Sequence, residues 1–386
     1  METSVNGRAS AGAPAPDSTN PLVRLALLGQ SPWLDYITRD LLMSGELERM
    51  IEQDGLRGMT TNPTIFEKAV AESDLYDQDI RRLADEGLAP PQIFESLAVA
   101  DVQKACDIFR GVYDRTHVQD GYVSIEVSPE LAYDAEGTVR DARRLWAAVA
   151  RPNAMIKIPG TRAGLPAITH CIAAGINVNV TLLFSLERYA EVVEAFLAGM
   201  ELRLSRGLSI QAIASVASFF VSRVDGKVDA LLDRTPGHPL RGKIAIANAS
   251  MAYGLFERTL ATPRWDRLAQ EGARPQRPLW ASTSTKDPRL SDVYYVEALA
   301  APQTVNTLPP ETFDAYRDHG NPAIRIQGSI AAAPAHLDAL AEAGIDLKTV
   351  TRELEEDGVA KFGASHAAVL AGIDAKTGAL ASHAGR

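Results

Sequence analysis

Eight short apolar segments, each followed by a stretch with helical spacing, set the strongest constraint on how this chain of 386 residues folds. The strand candidates centre near residues 33, 57, 122, 155, 178, 217, 279 and 305. Each is brief, rich in β-branched or aromatic residues, or bounded by Gly, Pro or Asn. Strands alternating with helices specify a parallel sheet with crossover helices. Eight such units point to an α/β chain folded as a (β/α)8 TIM barrel, with additional helices and a C-terminal helical segment. A doubly wound open sheet is the alternative. That fold leads one to expect a Gly-rich phosphate loop after the first strand, and neither GxGxxG nor GxxxxGK[ST] occurs.

The expected strands are 32–37, 56–61, 121–127, 154–158, 176–184, one within 212–224, 278–282 and 304–308. Helical periodicity covers 38–53 as one helix, then 64–87, 91–116, 138–150, 162–174, 186–204, 226–233, 240–262 and 292–300. After Pro310 the chain reads as helical with breaks, at 311–319, 334–343, 347–357 and 358–373. Residues 1–20 are rich in Ser, Ala, Gly, Pro and Asn and read as a disordered leader. The remainder, 21–386, reads as a single barrel domain that includes the C-terminal helices.

Charge and composition narrow the function. A net charge of −10 argues against a nucleic-acid partner, since no basic excess is present to neutralise phosphates. No apolar run reaches the length of a membrane span, and no charged segment followed by an apolar one marks a secretory signal, so a cytoplasmic protein without membrane contact is expected. Two cysteines, Cys106 and Cys171, make no disulfide framework or CxxC metal pattern. The seven histidines show neither HxxxH nor HxH spacing and read as surface or capping residues, so no metal site is expected.

Within 154–158 sits Lys157, an ammonium in an otherwise apolar strand. A lysine whose head snorkels out at the strand end is the ordinary explanation. The chemical alternative is a desolvated amine whose pKa is lowered toward neutrality and which condenses with a carbonyl. In a barrel, function sits at the carboxyl ends of the strands. Those ends offer Asp35; Thr60, Thr61 and Asn62; Glu126; Lys157; Asn179 and Thr181; Ser218 and Arg223; and Ser282, Thr283 and Lys286. Each alone has a dull explanation as a cap, a turn or a surface residue. Together they place a lysine, two carboxylates and several amides and hydroxyls at one mouth, which favours a Schiff-base former. A phosphorylated substrate would need cations at the rim, and Arg223 and Lys286 are available.

The chain resembles the transaldolase family in its longer bacterial form. The resemblance rests on Trp33-Leu34-Asp35, the run TTNPTIF from Thr60 to Phe66, Val123–Ser128, IKIPGT from Ile156, NVNVTLLFS from Asn177, and Ala217–Asp225. It covers residues 30 to 310 in order. It implies a class I aldolase-type barrel with no metal or organic cofactor. The implied reaction moves a dihydroxyacetone unit from fructose 6-phosphate or sedoheptulose 7-phosphate to erythrose 4-phosphate or glyceraldehyde 3-phosphate, in the non-oxidative pentose phosphate pathway. By motif match, Lys157 is the Schiff-base lysine and Asp35 the acid/base for carbon–carbon cleavage, while Glu126 and Thr181 position a water. Asn62 and Asn179 bind the dihydroxyacetone hydroxyls, and Ser218 and Arg223 hold the phosphate.

One departure stands out. Shorter members carry a second phosphate-binding arginine after the seventh strand, where this chain has Ala281-Ser282-Thr283-Ser284-Thr285-Lys286, and Lys286 is the candidate substitute. Expected partners are small-molecule sugar phosphates, with the chain acting as a monomer or homodimer. The rival readings are a fructose-6-phosphate aldolase-like enzyme that releases free dihydroxyacetone, and a non-catalytic sugar-phosphate-binding barrel. The aldolases lack the strand-three glutamate, so Glu126 favours the transferase, and binding alone needs no nucleophile.

Overall fold

The computed structural model describes residues 19–233 and 238–384, so the expected leader lies, up to residue 18, outside the described residues. The chain enters through α1 (Pro21–Leu27) and β1 (Gln30–Leu34). Helices α2 (Arg39–Met43) and α3 (Glu46–Gln53) precede β2 (Gly58–Met59). Three helices, α4 (Pro63–Glu72), α5 (Asp77–Asp85) and α6 (Pro90–Arg115), lead to β3 (Tyr122–Glu126). Single helices then alternate with strands through α7 (Ala135–Val149), β4 (Ala154–Pro159), α8 (Leu165–Ala174), β5 (Val178–Leu183), α9 (Leu186–Ser205) and β6 (Ser215–Phe220). Between β6 and β7 (Arg277–Ala281) run α10 (Ser222–Leu232), α11 (Ile244–Leu260) and α12 (Pro263–Gln270). After α13 (Tyr294–Ala298) and β8 (Thr304–Leu308) come α14 (Pro310–His319), α15 (Ile326–Glu342) and α16 (Leu347–Ala384).

The eight strands close a barrel in sequence order, each parallel to its neighbours, with Gln30 paired to Thr304 at the seam. Side chains alternate across the wall with the period of two that a strand imposes. Outward residues such as Leu34, Val123, Ile156, Val180, Phe219 and Trp280 pack with the helices in one continuous core. Inward residues Trp33, Tyr122, Met155, Val216, Leu279 and Val305 form a second, apolar layer inside the barrel. Gly58 is required beside it, because a Cβ there would stand 2.5 Å from the Trp33 indole. Below this layer Arg277 closes the amino end of the barrel, bonded to Asp120 at 2.9 Å, Ser31 at 2.9 Å and the Gln119 carbonyl at 2.8 Å. Two residues further along the same inward rows come Asp35, Lys157, Ser218 and Thr307. The apolar layer is thus the floor on which the polar mouth stands.

Several expected boundaries shift. The helix expected over 38–53 is two, because Gly45 turns left-handed at φ 83° and breaks it. The first two strands are shorter at their carboxyl ends than expected, ending at Leu34 and Met59, and their polar tips form loops over the mouth. The stretch 64–87 is two helices joined by a short 3₁₀ turn. In the tail, α15 begins before Pro334 and runs through it, and Gly358 does not interrupt α16.

Candidate active site

A cavity of about 420 Å³ opens at the carboxyl end of the barrel. Asp35, Asn62, Glu126, Lys157, Thr181, Ser218, Arg223 and Lys286 all line it, so eight of the nine residues given a role by the resemblance come together there. The ninth, Asn179, is fully buried beneath the surface of the site. Its Nδ2 donates to Ser124 Oγ at 3.0 Å and its Oδ1 accepts from Ser218 Oγ at 2.7 Å. Asn179 is paired in register with Lys157, so it stands beside the lysine with both halves of its amide engaged.

Lys157 does not snorkel to solvent. Its side chain is 13% exposed, and Nζ donates to Glu126 Oε1 at 2.7 Å and to the Thr61 carbonyl at 3.1 Å. The pair is built by the sheet, since Glu126 and Lys157 are register partners on β3 and β4. Burial pulls the Lys157 ammonium down, but the Glu126 and Asp35 carboxylates outweigh it and hold the group above the ordinary lysine value. The lowered lysine pKa expected from burial alone is therefore not found. Burial instead pushes the Glu126 carboxyl up to about 7, against the pull of the Lys157 ammonium. A carboxyl group with so raised a pKa, bonded to a buried lysine, marks the pair as a candidate acid/base site.

Asp35 sits just past the end of β1. Thr60 Oγ1 donates to its Oδ1 at 2.6 Å and Asn62 Nδ2 to its Oδ2 at 3.1 Å. Thr60 also meets Thr307 Oγ1 at 2.9 Å, which ties three strand ends together around this carboxylate. Asn62 serves twice, because its Oδ1 accepts from the Thr64 amide as the N-cap of α4. Asn62, whose ordinary reading from sequence is a turn with Pro63, is thus a helix cap and a member of the site in one side chain.

Thr181 Oγ1 is buried and has no hydrogen-bond partner, although it lines the cavity. A buried hydroxyl without a partner is costly, and a bound water or substrate atom would satisfy it. The next residue, Leu182, is left-handed at φ 62°, where the β5–β6 register slips between Val180 and Leu183. A bulky residue in that region is strained, and here Leu182 lines the cavity. Ser282 repeats the pattern at φ 56° at the end of β7, and its hydroxyl meets Ser222 Oγ at 3.0 Å.

The rim is cationic. Arg223 lies in the first turn of α10 with its guanidinium over the Phe220 ring at 5.0 Å. Lys286 is exposed on the loop after β7. Sequence reasoning missed the Thr60–Thr307 link and Phe220, and it assigned no contact to the C-terminal tail. In the structure, Gly358, Lys361, Phe362 and Ser365 of α16 complete the wall. A second cavity of about 280 Å³ lies beyond Glu126, which borders both. His366 faces it and packs edge-on against Phe94, so it is not the surface or capping residue expected. Among the described residues no group of three or more His, Cys, Asp or Glu side chains could hold a metal ion. No helix among them is long and apolar enough to cross a membrane.

Known proteins resemble this chain over most of its length. A family model described as transaldolase/fructose-6-phosphate aldolase matches residues 32–373. A protein of Acidothermus cellulolyticus named transaldolase is 51% identical over 360 residues, covering 92% of this chain and 96% of the relative. One from Frankia alni with the same name is 50% identical, covering 89% of this chain and 94% of the relative. A Nostoc protein named transaldolase 2 is 47% identical with the same coverage.

Proposed function

We propose, from the premise that this chain belongs to the transaldolase/fructose-6-phosphate aldolase family, that it transfers a dihydroxyacetone unit between sugar phosphates through an imine on Lys157. The observation that carries the reading is the Lys157–Glu126 pair, 2.7 Å apart at the mouth of a barrel. Lys157 must shed a proton to attack. Glu126 is in contact to receive it, and its raised pKa makes that transfer less unfavourable than it would be to an ordinary carboxylate. The neutral amine adds to the ketone carbon of fructose 6-phosphate, and Glu126 returns a proton as the carbinolamine loses water. The unpartnered Thr181 hydroxyl is a fitting second anchor for that water.

The iminium then serves as the electron sink, a task that a divalent metal ion performs in other aldol chemistry. Asp35 takes the proton of the C4 hydroxyl, and the bond between C3 and C4 breaks. Glyceraldehyde 3-phosphate leaves, and a three-carbon enamine stays on Lys157. Addition of this enamine to the aldehyde of erythrose 4-phosphate, with the proton returned by Asp35, and hydrolysis of the new imine give sedoheptulose 7-phosphate and free enzyme. Asn62, held by its bond to Asp35, is suited to the dihydroxyacetone hydroxyls. Asn179, fully buried and bonded to Ser124 and Ser218, keeps one amide hydrogen for the same hydroxyls and also holds Ser218 in place. Arg223 and Lys286 are the rim cations for the phosphate, aided by the amino end of α10. The pentose phosphate pathway, a cytoplasmic location and the monomeric or dimeric state belong to the same proposal.

An aldolase that releases dihydroxyacetone is the second reading, and the shared family description keeps it in view. A coupled assay of glyceraldehyde 3-phosphate formation separates the two. Formation that depends on erythrose 4-phosphate supports the transferase. Equal formation without it would make the protein an aldolase.

A further inference from the structure

The C-terminal helix contributes a cation to the mouth. Residues Gly358, Lys361, Phe362 and Ser365 recur at helical spacing, and all face the cavity. Three contacts fix that face. Ser365 Oγ meets Thr64 Oγ1 at 2.8 Å, in the first turn of the helix that Asn62 caps. Glu353 pairs with Lys227 at 2.7 Å, one turn along α10 from Arg223. Gly358 lies so close to β5 that a Cβ there would stand 3.1 Å from Leu182 Cδ2. The helix is thus held against both the dihydroxyacetone side and the arginine side of the site.

Lys361 differs from the other lysines of its helix. Lys348 pairs with Glu187 at 3.2 Å and Lys376 with Asp77 at 2.5 Å. Lys361 has no ion pair or hydrogen bond among the described residues, and the same holds for Arg223 and Lys286 across the cavity. Three cations without an ion pair thus share the lining of one cavity. The carboxylates that share the cavity make no ion pair with them among the described residues. Asp35 is held by Thr60 and Asn62, Glu126 by Lys157, and Glu311 is exposed on α14.

We propose that Lys361 is a specificity-determining contact to the phosphate of the sugar-phosphate substrate, supplied from outside the barrel to complement Arg223. It compensates for the absence of an arginine in Ala281–Lys286. The inference rests on the reading of the cavity as a sugar-phosphate site. Its consequence is that affinity for phosphate depends on the docking of α16 as well as on the strand ends.

The test compares wild type with K361Q, K361E and K361R, and with K348Q as a control on the same helix. K361Q should raise KM for fructose 6-phosphate about tenfold, the effect of one charge-assisted hydrogen bond, with kcat changed far less. K361E should be worse and K361R close to wild type. KM for unphosphorylated fructose should not move, and inorganic phosphate should inhibit K361Q more weakly than wild type. Unchanged KM and unchanged phosphate inhibition in K361Q would overturn the inference, as would equal losses on fructose and fructose 6-phosphate. A wild-type protein that forms no borohydride-trapped adduct with fructose 6-phosphate would instead sink the reading of the site itself.

Discussion

Lys157 Nζ and Glu126 Oε1 lie 2.7 Å apart because their strands are neighbours in register, so the fold itself makes the contact. An unpaired buried ammonium would be costly. The glutamate offsets that cost, and the same contact places it where the proposed mechanism needs a receiver for the lysine proton.

That contact sets a pH dependence. Glu126 accepts a proton only as a carboxylate, and burial puts its pKa at about 7. Below that value the protonated fraction grows, so kcat/KM should fall as pH drops through about 7. In E126Q this acid limb should vanish along with most of the activity. A profile of the wild type that is flat across that range would show that Glu126 is not the acceptor.

Asp35 and Glu126 should fail at different steps. D35N should still form the imine but not cleave it, so borohydride should trap the intact six-carbon sugar on Lys157. E126Q should form any imine slowly. General acid/base groups contribute about 10²–10⁴-fold, which single-turnover methods resolve. A three-carbon adduct in D35N, or normal trapping rates in E126Q, would contradict this division of labour.

Arg223 stacks on Phe220 and, among the described residues, makes no hydrogen bond or ion pair, which leaves its guanidinium open to an anion. R223A should raise KM for phosphorylated sugars by about 1.5–3 kcal/mol, the worth of a charge-assisted hydrogen bond. Unphosphorylated donors should be little affected. Equal losses on both would make Arg223 a structural residue.

At the closed end of the barrel, Arg277 is buried with Asp120, Ser31 and the Gln119 carbonyl as partners. D120A leaves a buried guanidinium without its counter-charge, which should cost about 3–5 kcal/mol of stability. Urea denaturation measures it. A loss below about 1 kcal/mol, the range of exposed pairs, would mean that water reaches the arginine.

Much of the architecture was legible because strand periodicity is local. The eighth strand was bounded correctly at Thr304 and Leu308. The mouth was legible for the same reason, since strand ends converge in a barrel wherever the helices lie. What escaped was tertiary. The sign of the Lys157 shift depends on its partner across the sheet, and no local pattern names that partner. Gly358 reads as a helix break, yet in the fold its missing side chain lets α16 approach Leu182. The place of Lys361 follows from that docking.

The most direct test of the central claim is mass spectrometry of the protein after incubation with fructose 6-phosphate and borohydride. A reduced sugar adduct should appear on Lys157 alone. K157R keeps the charge but loses the condensable amine, so it should show neither adduct nor turnover. An adduct on another lysine, with activity retained in K157R, would contradict the account.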